Sequence, residues 1–506
     1  MKTSDTLLLL IDSLTKAEKK SFSQTALNSD YYDLYLLITN NPGKDSEEIK
    51  GLYEMEKPQS NFNVQVNYLY TKLLDNLLSL QSSSDIELNL FNSLFKAKIL
   101  AQKSLFQEAL QLYKVVQLKA KELHLEYLLL KALQEELKLL LFLNFPNLTE
   151  DELSTKHFEI TESLKRARRE NESSVLYDLL KYRTLHHDVM RSEEQRDALN
   201  DLLLSELSIS SSSDRHLKSF ESDMLHQLFQ STYLLGVNDY NAALSSLKEL
   251  IHLFEENTQR WEKNPYYYVV TLESILYNLR AIHEYKSISF FLGKLEEIQS
   301  KDKEINALRD IIQTLYTLYP LIDTGQFKEA SAYIEQNRAK IEGMLPLLNR
   351  DKKAEVILCW SIVLVGLGQF REVKDLLHPI IFQSKHFYYL PIFRAIRLIH
   401  LISIYELGIL DEYEFEIRAF KRDLNKNKKA YQVESFILKF LTSKKVYFQK
   451  REKQRQTIQP IIEAIRQDIY EKQILNLFDF TKWVESKVWD VSFTQLLENK
   501  KDSPLH

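Results

Sequence analysis

Two short phrases, Thr324-Gly325-Gln326-Phe327-Lys328-Glu329-Ala330 and Leu367-Gly368-Gln369-Phe370-Arg371-Glu372-Val373, stand 43 positions apart. With the aromatic as reference, the slot is also filled by Phe106, Tyr240, Tyr285 and Leu410, and successive gaps from Tyr240 are 45, 42, 43 and 40 residues. Six positions earlier stand Leu100, Leu234, Leu279, Leu321, Leu364 and Ile404, all aliphatic. Two earlier stand Ser104, Asn238, His283, Gly325, Gly368 and Gly408, mostly turn formers. Three later come Ala109, Ala243, Ile288, Ala330, Val373 and Tyr413, and seven later an apolar residue each time, Tyr113 to Ile417.

That column pattern describes a helix hairpin. A first helix ends near the Gly or Asn, where a positive φ is cheap. A second helix begins around the aromatic, which packs back on the aliphatic residue before the turn. The small residue lets the two helices approach, and the residue four further on keeps to the same face. One such unit cannot bury its apolar face alone, so neighbouring units must stack. Composition agrees. Nine glycines and ten prolines in 506 residues fall well below the usual ~7% and ~5%, which excludes turn-rich sandwiches, barrels and doubly wound sheets. The fold class predicted is all-α, built of stacked antiparallel helix hairpins.

The pattern resembles the tetratricopeptide repeat, which places an aromatic at the start of its second helix and Ala three residues later. Phe327 with Ala330, Tyr240 with Ala243 and Phe106 with Ala109 match that placement. The likeness is best over 220–420, with one isolated unit at 92–120. It departs from the family in its 40–45-residue spacing, against about 34, and lacks the first-helix Trp and Gly-Tyr signature. The resemblance implies a right-handed superhelical solenoid whose first helices line a groove for a partner segment. On that register the inner-face candidates are Glu273, Tyr277, Arg280, Glu355 and Tyr405.

Five stretches follow along the chain. Residues 1–83 read as a small helical unit with a strong turn at Asn40-Asn41-Pro42-Gly43. Its Leu14 to Lys20 and Asn67 to Tyr70 resemble the N-terminal region of a group of uncharacterised bacterial helical proteins, which implies no activity. Residues 84–207 read as irregular helix pairs with the one hairpin at Phe106. The low-complexity run Ser208 to Asp214 reads as a loop or linker. Residues 215–450 carry the repeats, and 451–506, with Trp483 and Trp489, the helices that close the stack. Thr15 to Glu18 and Thr149 to Glu152 have capping-box spacing.

The sequence offers little positive sign of catalysis. It holds no P-loop, His-Glu-x-x-His, Gly-x-Ser-x-Gly or Glu-x-x-His string. Gly366-Leu367-Gly368 is a repeat turn, and no cofactor is predicted. His186-His187-Asp188 is the densest ligand cluster, yet adjacent helical residues diverge by about 100°, so metal binding is not expected. The single Cys359 reads as a buried structural thiol and excludes an intrachain disulfide and Cys-based metal sites. The five-residue apolar run Leu7 to Ile11 is shorter than a secretory signal needs, and no apolar run reaches membrane-spanning length. Together these predict a cytoplasmic protein.

A net charge of −5 and a pI near 6.2 give no general attraction to nucleic acid. One stretch runs against that balance. From Lys421 to Arg455, twelve basic residues stand against three acidic, a net +9, with Tyr431, Tyr447 and Phe448 interleaved. Lys444, Lys445, Lys450, Arg451, Lys453 and Arg455 form its densest part. A solvated lysine-rich face is the expected reading; phosphate contacts with base stacking and an acidic protein partner are the alternatives. A helix-turn-helix is geometrically possible around Lys57-Pro58-Gln59, but the first 83 residues carry eight lysines against eleven acids, the wrong sign for phosphate. The aromatic clusters Tyr266-Tyr267-Tyr268 and Phe387-Tyr388-Tyr389 stand where first helices should begin. The expected function is a non-enzymatic scaffold or adaptor for a protein or peptide partner.

Overall fold

The computed structural model describes residues 3–25, 29–81, 85–146, 148–186, 192–211, 219–262, 264–383, 392–426, 432–442 and 451–498. The described secondary structure is helical throughout, and most consecutive helices pack on one another, as stacked hairpins would. The chain divides into two compact units, residues 1–165 and 166–506. No described helix is long and apolar enough to cross a membrane. Ser208 to Ser211 of the Ser-rich run are helical rather than a loop, while Ser212 to Asp214, His187 with Asp188, and the Phe387 to Tyr389 cluster lie outside the described residues.

In the first unit, α1 (Thr3–Ser13), α2 (Lys16–Thr25), α3 (Asp30–Asn40), α4 (Ser46–Glu56) and α5 (Phe62–Gln81) enclose one cluster of Leu7, Ile11, Leu34, Tyr35, Ile49, Tyr53 and Leu69. Caps set the helix starts. The Glu18 carboxylate accepts from the Thr15 amide at 2.7 Å, and Asp45 with Glu48 forms a reciprocal capping box ahead of α4. Lys57, in the suspected helix-turn-helix bend, is held by Asp30 and Asp33. The helices α6 (Ile86–Gln102), α7 (Phe106–Glu122) and α8 (Glu126–Phe142) pack in sequence, with Ala97, Ala109 and Ala132 fully buried where they approach. The start of α9 (Glu150–His186) belongs to this unit. It supplies Lys156 to the buried Glu136 carboxylate at 2.7 Å.

The second unit begins with the remainder of α9, the short α10 (Glu193–Asp197) and α11 (Asn200–Ser211). Hairpins follow: α12 (Phe220–Gly236) with α13 (Tyr240–Glu256), and, after the short α14 (Thr258–Trp261), α15 (Tyr266–Ala281) with α16 (Ile288–Glu296). Next come α17 (Lys303–Asp323) with α18 (Phe327–Met344), α19 (Arg350–Gly366) with α20 (Phe370–His378), and α21 (Ile392–Leu407) with α22 (Leu410–Lys426). The chain ends in α23 (Gln432–Thr442), α24 (Arg451–Gln467), α25 (Lys472–Leu477), α26 (Phe480–Trp489) and α27 (Phe493–Glu498). One continuous apolar core runs through the hairpins and reaches Trp483 and Leu497.

The hairpin turns share one construction. Ser104, Asn238, His283, Gly325, Gly368 and Gly408 all have positive φ, between 59° and 77°. In each, the amide of the residue just after the positive-φ position donates to the carbonyl five residues back. Leu105 bonds Leu100, Asp239 bonds Leu234, Glu284 bonds Leu279, Gln326 bonds Leu321, Gln369 bonds Leu364 and Ile409 bonds Ile404, at 2.8–3.3 Å. This is the Schellman closure, which satisfies carbonyls that a helix end would orphan. The next helix then starts at the aromatic itself in α7, α13, α18 and α20 and at Leu410 in α22, while Tyr285 opens a short 3₁₀ turn ahead of α16. Ala109, Ala243, Ala330 and Val373 are fully buried between the paired helices.

The C-terminal helices do more than cover a final hairpin. The Asn238 amide donates to the Ile469 carbonyl at 2.7 Å, Gln473 to the Gly236 carbonyl at 2.7 Å, and Asn476 to the Tyr240 hydroxyl at 3.0 Å. Phe493 stacks on Phe327, and the Trp483 indole donates to Glu406 at 3.0 Å. Residues 469–497 thus lie across the turns of several hairpins.

Candidate functional site

The helices α15, α17 and α19 are the first members of successive hairpins and pack side by side. Side chains from all three meet in one polar cluster. Lys352, in the first turn of α19, is shared by Glu273 of α15 and Glu355, one turn on in α19. The Tyr319 hydroxyl of α17 donates to Glu355 at 2.7 Å. Arg280 of α15 forms a two-pronged pair with Asp323 at the end of α17, both bonds 2.9 Å. Its guanidinium lies 3.7 Å from the Tyr319 ring centroid, so one arginine is paired at its edge and stacked on its face. The Tyr285 hydroxyl adds a third bond to Asp323 at 3.1 Å.

The two carboxylates sharing Lys352 are inequivalent. Burial pushes the Glu273 carboxyl above its ordinary value by more than Lys352 draws it down. Burial also opposes ionisation of Glu355, but Lys352 and the Tyr319 hydroxyl outweigh it and hold that carboxyl below its ordinary value. Lys352 itself is disfavoured by burial, yet the two carboxylates raise it well above the ordinary lysine value. Glu355 is therefore the ionised partner that Lys352 neutralises most completely, and Glu273 is the one that takes up a proton first.

The five inner-face candidates separate on this geometry. Glu273, Arg280 and Glu355 belong to the cluster. Tyr277 lies at its edge, beside Tyr240 and Asn476. Tyr405 lies elsewhere, its ring 6.0 Å from both Tyr413 and Trp483. Lys352, Tyr319 and Asp323, which complete the cluster, escaped the sequence reading. The available signal was slight: Asp323 stands 43 residues after Arg280, the repeat period, and Lys352 stands one helical turn before Glu355.

A cleft of about 70 Å³ adjoins the cluster and is lined by Arg280, Asp323, Phe327, Asn476 and Phe493 among others. The C-terminal segment forms one of its walls. Cys359 is buried nearby, and burial raises its thiol to about 12; such a thiol is no nucleophile at neutral pH. Among the described residues no group of three His, Cys, Asp or Glu side chains is gathered for a metal ion.

Among the described residues the basic stretch adds no comparable constellation. Lys444, Lys445 and Lys450 lie outside the described residues, as do the side chains of Arg451 and Lys453 within α24. Arg455 is exposed, its guanidinium 3.4 Å from the Trp489 carbonyl. Comparison of the chain with family models, with curated proteins and with solved structures returns no match.

Proposed function

We propose that the chain is a non-enzymatic interaction scaffold of tetratricopeptide-like build. In this reading the hairpins of the second unit follow a right-handed superhelix, and a partner segment lies along the first helices. The observation that carries it is the convergence of Glu273, Tyr319, Lys352 and Glu355 from three consecutive first helices. Tyr266, 44% exposed, stands at the start of α15 on the same side. It lies within electrostatic range of Glu273 and Lys352. A tyrosine beside a fixed array of charge is the kind of surface on which a few contacts supply most of the binding energy. Fixed turns and small buried residues between paired helices hold that array rigid, which lowers the entropic cost of binding.

The test is affinity purification from the native cell with the intact chain and with Tyr266→Ala and Lys352→Met variants. Partners recovered with the intact chain are then titrated against each purified variant by calorimetry. Loss of at least about tenfold in affinity in both variants, with helicity unchanged, supports the reading. Partners that bind all three proteins equally overturn it.

A further inference from the structure

Two charged side chains beside the polar cluster form no direct hydrogen bond or ion pair among the described residues. Among the described residues Lys181, from the second-unit part of α9, makes no side-chain hydrogen bond or ion pair; its ammonium lies 5.6 Å from the Tyr177 ring centroid. Asp351, beside Lys352 in the first turn of α19, makes none either. Both are half-buried. Lys181 lies within electrostatic range of Glu273 and Asp351, and Asp351 within range of Lys352 and Lys181, but none of these is a direct ion pair. Partial burial acts on both in the direction that disfavours charge: it lowers the Lys181 ammonium and raises the Asp351 carboxyl. A few residues away, by contrast, one lysine serves two carboxylates. Desolvated charges held without a direct hydrogen bond or ion pair are costly to keep. A ligand that brings an anion to one and a cation to the other would relieve that cost.

The aromatic surroundings extend the same surface. Tyr177 meets Tyr267 edge-on at 6.4 Å, and Tyr267 meets Tyr266 at 5.5 Å. The rings lead from Lys181 toward Glu273. We propose that the partner segment is a mixed-charge peptide, with an acidic side chain seated on Lys181 and a basic side chain seated on Asp351. The inference rests on the peptide-scaffold reading and adds the chemistry and polarity of what is bound.

The probe is a set of fluorescent dodecapeptides titrated against the full chain at low salt and followed by anisotropy. All share the same tyrosine and leucine positions. They carry an acidic and a basic residue in either order and at varied spacing, an acidic residue alone, a basic residue alone, or neither. The expected result is that one order and spacing of mixed charge binds at least about tenfold tighter than the uncharged peptide. Lys181→Met then removes the advantage of the acidic residue only, and Asp351→Asn that of the basic residue only. The double variant Lys181→Glu with Asp351→Lys favours the opposite order; should it fail to fold, the two near-isosteric single variants decide the matter. Equal binding of all classes overturns this inference and leaves the scaffold reading standing. Binding of no class at all overturns both.

Discussion

The ring of Phe493 lies nearly parallel to that of Phe327, 18° apart with centroids separated by 5.9 Å. The aromatic that opens α18 therefore has two tasks: it packs within its own hairpin and it receives the C-terminal segment. Phe327 is 2% exposed, and its loss removes both contacts. Phe327→Ala should cost about 3–5 kcal/mol of unfolding free energy, read from urea denaturation. Phe493, which also meets the Phe478 ring at 5.3 Å, is less buried, and Phe493→Ala should cost clearly less.

Glycines in neighbouring helices should respond to the same substitution with opposite sign. A Cβ on Gly366 would come within 2.2–2.4 Å of three ring atoms of Phe327, whereas one on Gly343 meets nothing within 4 Å. Gly366→Ala is expected to destabilise by about 1–3 kcal/mol through overpacking. Gly343→Ala, in an exposed stretch of α18, should stabilise by about 0.5–1 kcal/mol. Thermal melts of the two variants check both.

The shared lysine predicts an asymmetry in pH response. Glu355 titrates below its ordinary value, so its contribution is present above about 4.5 and is lost as pH falls through its folded value. Glu273 titrates above that value; the folded chain takes up its proton before the unfolded chain does, so this group favours folding more as pH falls through that window. At pH 7, Glu355→Gln should cost about 1–3 kcal/mol by leaving Lys352 and the Tyr319 hydroxyl without their ionised partner. Glu273→Gln should cost less than about 1 kcal/mol and should flatten the gain seen on mild acidification. Melting temperature against pH for the three proteins checks the order.

Cys359 is 2% exposed, and burial holds its thiol at about 12. At pH 8 an alkylating reagent should leave it unmodified in the folded chain and label it promptly in denaturant. Intact-mass spectrometry reads both states.

The hairpin turns were legible because they are governed locally. A residue with positive φ, an aliphatic residue four positions before it and an aromatic two positions after it form a motif of seven residues, and Gly325 and Gly368 announce it, with Gly408 followed by Leu410 in the aromatic's place. Ser104 and His283 meet the same backbone demand without Gly, and there only the spacing revealed them. The polar cluster was legible in part. Glu273, Arg280 and Glu355 follow from which helix face turns inward. Lys352 and Asp323 depend on which helices stand next to one another, which no local spacing states. The path of residues 469–497 was not legible. Gln473 bonds to Gly236 across 237 positions, and nothing in either neighbourhood marks the other.

That last contact bears on how the chain is made. Gln473 and Asn476 are translated long after Gly236 and Tyr240, so the hairpins leave the ribosome before the segment that lies across their turns exists. Through that interval the aromatic faces of Tyr240 and Phe327 stand open to any other extended, aromatic-bearing chain. Domains generally fold as they emerge, so the second unit can fold its hairpins early but can close only once residues 469–497 have emerged. Its vulnerable period is set by elongation rate rather than by the stability of any hairpin.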